Sequence, residues 1–169
     1  MTYTELVTFV NDICENTFPT DDMNMFIQQA EQKIYNTVQL ASLRKNVTGT
    51  ITSGNKYLSA PEDFLSVYSI AIYPLTGAHA HEYTYLLNKD VNFIREAYPS
   101  PNDTGKPYYY ALFGPTTTNN IPPVITNELT FIMGPTPDQA YDVELHYYYY
   151  PESITTASSG ETWLGDNLD

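Results

Sequence analysis

The chain has 169 residues, 42% of them hydrophobic, and a formal charge of -13. That length holds one ordinary core, or a small helical layer with a β module attached, and no apolar run approaches the about 20 residues that span a bilayer. All seven basic residues lie at or before Lys106, so the C-terminal third is purely anionic, which argues against a phosphate-binding groove built on Lys and Arg.

Thr2 and Glu5 have the spacing of a capping box, and Leu6, Val10, Ile13 and Thr17 follow the helical step, so residues 3–16 read as a first helix. Cys14, the single cysteine, sits among Leu6, Val10 and Ile13 and reads as a small buried hydrophobe. The opening residues lack the basic region and cleavage site of a secretory signal, so nothing marks this chain for export and a reducing cytosol suits its one cysteine. Pro19 breaks the helix. The long stretch Asp22 to Lys45 then places Met23, Ile27, Ala30, Ile34, Val38 and Ala41 on one helical stripe. Phe26, Leu40 and Leu43 lie beside that stripe and widen it beyond what one neighbouring helix covers. Two helices joined so briefly form a helical hairpin.

After Lys45 the period changes from 3.6 to 2. Val47, Gly49 and Ile51 alternate with threonines, and Ser53-Gly54-Asn55 is a turn signal, so residues 46–59 read as a β-hairpin. Residues 66–73 form a strand with Tyr68, Ile70 and Ile72 on one face, and residues 82–87 another. Asn88 caps a short helix over 89–98, closed by Pro99 and Pro101. Strands follow at 108–113, 128–133 and 142–150, dense in aromatic and β-branched residues. In the last, Val143, Leu145, Tyr147 and Tyr149 face one way and Glu144, His146, Tyr148 and Tyr150 the other. The stretch 114–127, GPTTTNNIPPVITN, reads as an exposed arm.

The expected fold is α+β: an N-terminal helical hairpin that is part of a helical bundle, with an antiparallel β-sandwich-like module of about seven short strands. The expected division is a bundle part over 1–45, a β-rich module over 46–155 with its short helix at 88–98, and a linker over 156–169. Trp163 to Asp169 reads as the lead-in to a further helix.

Chemistry is sparse. His79, His81 and Glu82 have the alternation of a metal-binding strand, but a solvated loop is the simpler reading and no metal is expected. Glu144 and His146 share a strand face and have the residue types of an acid-base pair, although structural burial or solvent exposure is much the simpler reading. The chain lacks a nucleophile elbow, a glycine-rich phosphate loop and a metalloprotease helix motif. It reads as no enzyme, without catalytic residues or cofactor. Sixteen tyrosines are the compositional oddity. Their large rings and polar tips suit surfaces that a partner covers. Tyr108, Tyr110, Tyr147 and Tyr149 read as fillers of a tyrosine-rich sandwich, whereas Tyr148 and Tyr150 stand beside charged residues.

Five ordered segments carry a resemblance: Phe26 to Tyr35, Leu43 to Gly49, Gly54 to Leu65, Leu87 to Pro99 and Glu144 to Ser153. Together they are similar to the head-to-tail adaptor proteins of tailed bacteriophages. The resemblance implies a structural virion protein at the head-tail junction, forming a ring, typically of twelve copies, between portal and tail. It also implies contacts with the portal protein and with a tail nozzle or tube protein. Double-stranded genomic DNA would pass through the channel without sequence-specific binding, and no membrane is involved. The candidate interface residues are Phe26, Gln29, Leu40, Leu43, Arg44, Arg95, Tyr148 and Tyr150. The competing reading is a carbohydrate- or receptor-binding β module that stacks ligands on exposed rings such as Tyr148.

Overall fold

The computed structural model describes residues 1–38, 41–114, 116–117, 125–127, 129–158 and 162. The chain forms two compact units, one of Met1–Leu43 with Tyr149–Asp169 and one of Arg44–Tyr148.

In the first unit, α1 (Tyr3–Cys14) begins on the expected capping box: the Glu5 N–H donates to Thr2 Oγ1 and the Thr2 N–H to Glu5 Oε2, at 3.3 and 2.8 Å. Glu15 ends it in the left-handed region, at φ 49°. Cys14 is exposed, against the expectation of burial, because α1 buries none of its residues fully and turns this side to solvent. Helix α2 (Thr20–Thr37) buries Met23, Ile27, Glu31 and Tyr35, each four residues from the last. Met23 and Ile27 form a core with Ile154, against which Tyr3, Leu6, Val7, Val10 and Phe18 pack.

The expected helix to Lys45 stops eight residues early. Asn36, Thr37 and Val38 are poor helix formers, the Thr37 hydroxyl bonds back to the Lys33 carbonyl, and Val38 is already extended. A 3-10 turn over Ala41–Leu43 follows. Val38 and Ala41, expected on the packing stripe, are exposed instead.

The segment after residue 149 runs back along α2. The Tyr150 hydroxyl donates to Asn36 Oδ1 at 2.7 Å, the Ile154 N–H to Glu31 Oε1 at 3.0 Å, and Gln28 Nε2 to Thr155 Oγ1 at 2.8 Å. This segment therefore serves as a packing strap along α2.

The second unit contains two four-stranded sheets. The first has the order β1 (Arg44–Ile51), β12 (Tyr141–Tyr149), β3 (Phe64–Pro74) and β4 (Thr84–Tyr85). The second has the order β2 (Tyr57–Ser59), β10 (Thr130–Gly134), β7 (Tyr109–Phe113) and β5 (Leu87–Asn88). Two small pairs complete it: β6 (Thr104–Gly105) parallel to β11 (Thr136–Pro137), and β8 (Thr116–Thr117) antiparallel to β9 (Ile125–Asn127).

Residues 46–59 are not a hairpin. β1 pairs along its whole length with β12, from Arg44 opposite Tyr148 to Ile51 opposite Tyr141, while β2 pairs with β10 in the other sheet. The glycine turn is a corner between sheets: Gly54 has φ 77°, and its N–H donates to the Pro137 carbonyl at 2.8 Å. An eight-residue pairing with a half-buried strand outweighs a short local one. Buried Leu86 makes a second corner, carrying the chain from β4 in one sheet to β5 in the other.

Inner faces of the two sheets meet through aromatic rings. Phe64 lies 5.5 Å from Phe131 in an edge-on contact and 5.8 Å from Tyr147 in a stacked one, and Tyr110 lies 6.0 Å from Phe131. Each such buried side chain contributes about 1.5–3 kcal/mol relative to exposure. The third helix, α3 (Val91–Ala97), starts on Asp90, not Asn88, since the Asp90 carboxylate accepts from the Asn92 N–H at 2.7 Å. Its Ile94 packs on Ala111 and Ile132. A Cβ at Gly134 would sit 2.8 Å from Ile94 Cγ2, so only glycine fits beneath this helix.

Candidate functional site

The outer face of the first sheet is built by the alternation of β12. Tyr141, Val143, Leu145 and Tyr147 point into the sandwich, leaving Asp142, Glu144, His146 and Tyr148 outside. Across the β1 register, Thr50 Oγ1 donates to Asp142 at 3.0 Å and Asn46 Nδ2 to Glu144 at 2.8 Å. Glu144 also stands 3.8 Å from His146 Nε2, and Ser69 Oγ lies 3.4 Å from His146 Nδ1. A hydrogen bond to the Glu144 carboxylate, with some burial, pushes the Tyr83 phenol above its ordinary value. These contacts hold Glu144 as the centre of a polar ladder.

At the end of that ladder Arg44 and Tyr148 form one assembly. The Arg44 guanidinium carbon is 4.0 Å from the Tyr68 ring centroid and 5.2 Å from that of Tyr148, and the two rings meet edge-on at 6.2 Å. Tyr148 is only 7% exposed, so it is not the open ring on which sugar stacking would rest. Tyr68 was missed by the alternation, which put it on one face with Ile70 and Ile72. In the structure those two are buried and Tyr68 is exposed.

The Asp63 carboxylate accepts from Lys45 Nζ at 2.6 Å and from the Tyr147 hydroxyl at 2.8 Å. Burial alone would raise its pKa, and these two donors more than offset that, leaving it below the usual 3.8.

The helical unit presents a different surface. Leu6, Val10, Met23, Phe26, Ala30 and Ile34 line an apolar groove of about 270 Å³. Phe26 is 49% exposed and touches Phe18 edge-on at 5.7 Å. The buried stripe of α2 is thus rotated from the expected one: Glu31 and Tyr35 take the inner line, and Ala30 and Ile34 face the groove. Glu31 at stripe spacing from Ile27 and Tyr35 was the sequence signal for this. Burial, with the Glu31 and Tyr149 side chains adding to it, pushes the Tyr35 phenol up to about 12.

The remaining expected site residues are scattered. Gln29 is exposed on α2. Leu43 is 1% exposed and so is covered within its own chain. Arg95 lies 5.8 Å from the Phe113 ring centroid. Tyr150 is partly exposed, with its hydroxyl held by Asn36. Leu40 lies outside the described residues, as does most of the 114–127 arm. His79 pairs with Glu82 at 2.9 Å, and among the described residues no group of three or more His, Cys, Asp or Glu gathers as for a metal. No helix of the described residues is long and apolar enough to cross a membrane.

The family model described as SU10 adaptor protein matches residues 1–169, the whole chain. No curated protein matches it significantly. A full-length match, on a chain that joins an N-terminal helical pair to antiparallel sheets, makes this protein a member of the SU10 adaptor family, in line with its resemblance to phage head-to-tail adaptors.

Proposed function

We propose that this chain is the adaptor ring between portal and tail, twelve copies on the resemblance to head-to-tail adaptors, through which genomic DNA passes. Membership of the adaptor family over the full length carries this reading. The open groove on the helical pair supports it, because apolar side chains such as Phe26 and Ile34 gain stability when a partner covers them. The portal protein and a tail nozzle or tube protein are the proposed neighbours. Phe26, Gln29, Arg95 and Tyr150, exposed on their own units, are the proposed contact residues, while Leu43 and Tyr148 are buried within theirs. A lumen lined by some of the twenty acidic residues would repel phosphate and let DNA slide. Mixing purified chain with the portal protein and imaging the product tests the assembly: a ring with a central channel is expected, and a persistently unassembled mixture would contradict it.

A further inference from the structure

The α3 side of the sheet unit carries an exposed aromatic surface with two cations laid over it. Ile94 anchors the helix on Ala111 and Ile132, a cross-strand pair on the face of the second sheet turned away from the sandwich. On one side of that anchor Phe93 meets Tyr109 edge-on at 5.4 Å, and Lys89 Nζ lies 5.3 Å from the Phe93 ring centroid. On the other, Arg95 lies over Phe113. Phe93, Phe113 and Leu87 are all exposed, as are both cations. From Leu87 to Phe113 three cations balance three carboxylates, so this stretch is neutral in a chain of charge -13.

The outer face of the first sheet has the reciprocal chemistry. Asp142 and Glu144 stand on it, fixed by hydrogen bonds from the neutral side chains of Thr50 and Asn46, which leave the carboxylates charged. Beside them Tyr83 and Tyr85 are more than half exposed, and Tyr83 bonds to Glu144. Carboxylates set among open phenol rings suit a lysine or arginine, which pairs with the one and lies over the other.

We infer that the α3 face of one copy docks on the outer β12 face of the next, with Lys89 and Arg95 meeting Asp142, Glu144 and the tyrosine rings beside them. The inference rests on the proposed assembly and names the contact between its copies. The two faces lie on opposite sides of the sandwich, so one chain cannot close the contact on itself. Joining unlike faces makes a head-to-tail interface, the kind that closes into a ring. Charge selects this pairing: two β12 faces would set carboxylate against carboxylate and two α3 faces cation against cation, whereas unlike faces attract. At physiological ionic strength the field of the net charge is screened beyond about 8 Å, while pairs in contact are screened much less. Copies of like net charge therefore meet through such patches.

Sedimentation of the full chain at about 0.15 M salt tests this. The parent should self-associate as concentration rises, and Lys89→Glu with Arg95→Glu, both at exposed positions, should weaken that by roughly tenfold or more. Asp142→Lys with Glu144→Lys should do the same. Mixing the two charge-reversed chains should restore the association that each has lost, because every reversed face then meets its complement. Both chains remain net negative, so bulk attraction cannot imitate the rescue. If the Asp142 and Glu144 variant unfolds, the α3 variant alone decides. A parent that stays monomeric up to its solubility limit, an α3 variant that associates like the parent, or folded reversed chains that fail to rescue each other overturns the proposal. An α3 variant that assembles on the portal as the parent does but no longer retains DNA there also overturns it, and places the patch in the channel. If rings form with the portal while the rescue fails, only this contact falls. If the copies associate as inferred and no ring forms with the portal, the docking stands and the adaptor assembly falls.

Discussion

Arg44 and Tyr148 stand opposite each other across β1 and β12, and Nε and Nη2 of the arginine both donate to the tyrosine hydroxyl, at 3.2 and 3.0 Å. With Tyr68 on its other side, the guanidinium is held by two rings and two hydrogen bonds. A cation over an exposed ring contributes about 0.5–1 kcal/mol, and a hydrogen bond to a charged group somewhat more. Arg44→Ala is expected to lower stability by about 1–2 kcal/mol in urea unfolding. Tyr148→Phe keeps the ring and loses the hydroxyl, so it should cost less than Arg44→Ala. Equal stability of all three proteins would show that the stack contributes nothing.

Glu31 is buried at 4% exposure, and its carboxylate accepts the Ile154 N–H. Glu31→Ala leaves that N–H without its partner inside the helical unit, a loss of about 1–3 kcal/mol. Glu31→Gln keeps an oxygen acceptor and should retain most of the stability. If Gln is as damaging as Ala, the hydrogen bond is not what Glu31 contributes.

Tyr35 gives a pH prediction. Its hydroxyl is buried with no hydrogen-bond partner among the described residues, and its pKa rises from 10.0 to about 12. A folded-state value above the unfolded one means that its contribution is fully present below pH 10 and is lost as pH rises towards 12. Tyr35→Phe should therefore match the parent protein or exceed it by up to about 1 kcal/mol at pH 7, since it removes an unpaired buried hydroxyl. Its stability should also fall less steeply between pH 10 and 12. Parallel pH profiles for the two proteins would contradict this.

Asp63 has the opposite sign. Its lowered value makes its contribution present above the ordinary 3.8 and lost as pH falls through the folded-state value. Asp63→Asn should be less stable than the parent at pH 6, with the gap closing as both are taken to pH 2. A gap that stays constant would place the effect in packing and not in the charge.

Much of this architecture was legible from local pattern. The capping box at Thr2 and Glu5 and the alternation of Val143, Leu145 and Tyr147 depend on neighbours in sequence, and both stand where the pattern put them. What the pattern missed depends on distant partners. The end of α2 at Thr37 was hidden by the apolar spacing of Val38 and Ala41, which continues past the point where helix propensity fails. β1 and β2 resemble a hairpin until β12 and β10, about ninety and seventy residues away in sequence, are seen to take them as partners. The candidate surface was visible as excess apolar width around Phe26, but which line of α2 faces inward was set by Glu31 receiving the strap at Ile154.

That rotation separates two substitutions at the proposed assembly surface. Phe26 is half-exposed on the groove and Leu43 is buried. Phe26→Asp should leave the free chain within about 1 kcal/mol of the parent while removing its incorporation with the portal. Leu43→Asp buries a carboxylate and should unfold the chain or cost several kcal/mol, which denaturation would detect before any assembly assay. Wild-type incorporation of Phe26→Asp would remove the groove from the proposed interface.

The most direct measurement for the adaptor reading is a reconstruction of the head-tail junction in virions that contain this chain. The expected density is a closed ring of copies between portal and tail, with the α2 groove covered by a neighbouring protein and acidic side chains along the channel. A virion whose portal meets the tail with this chain absent from the junction would contradict the account.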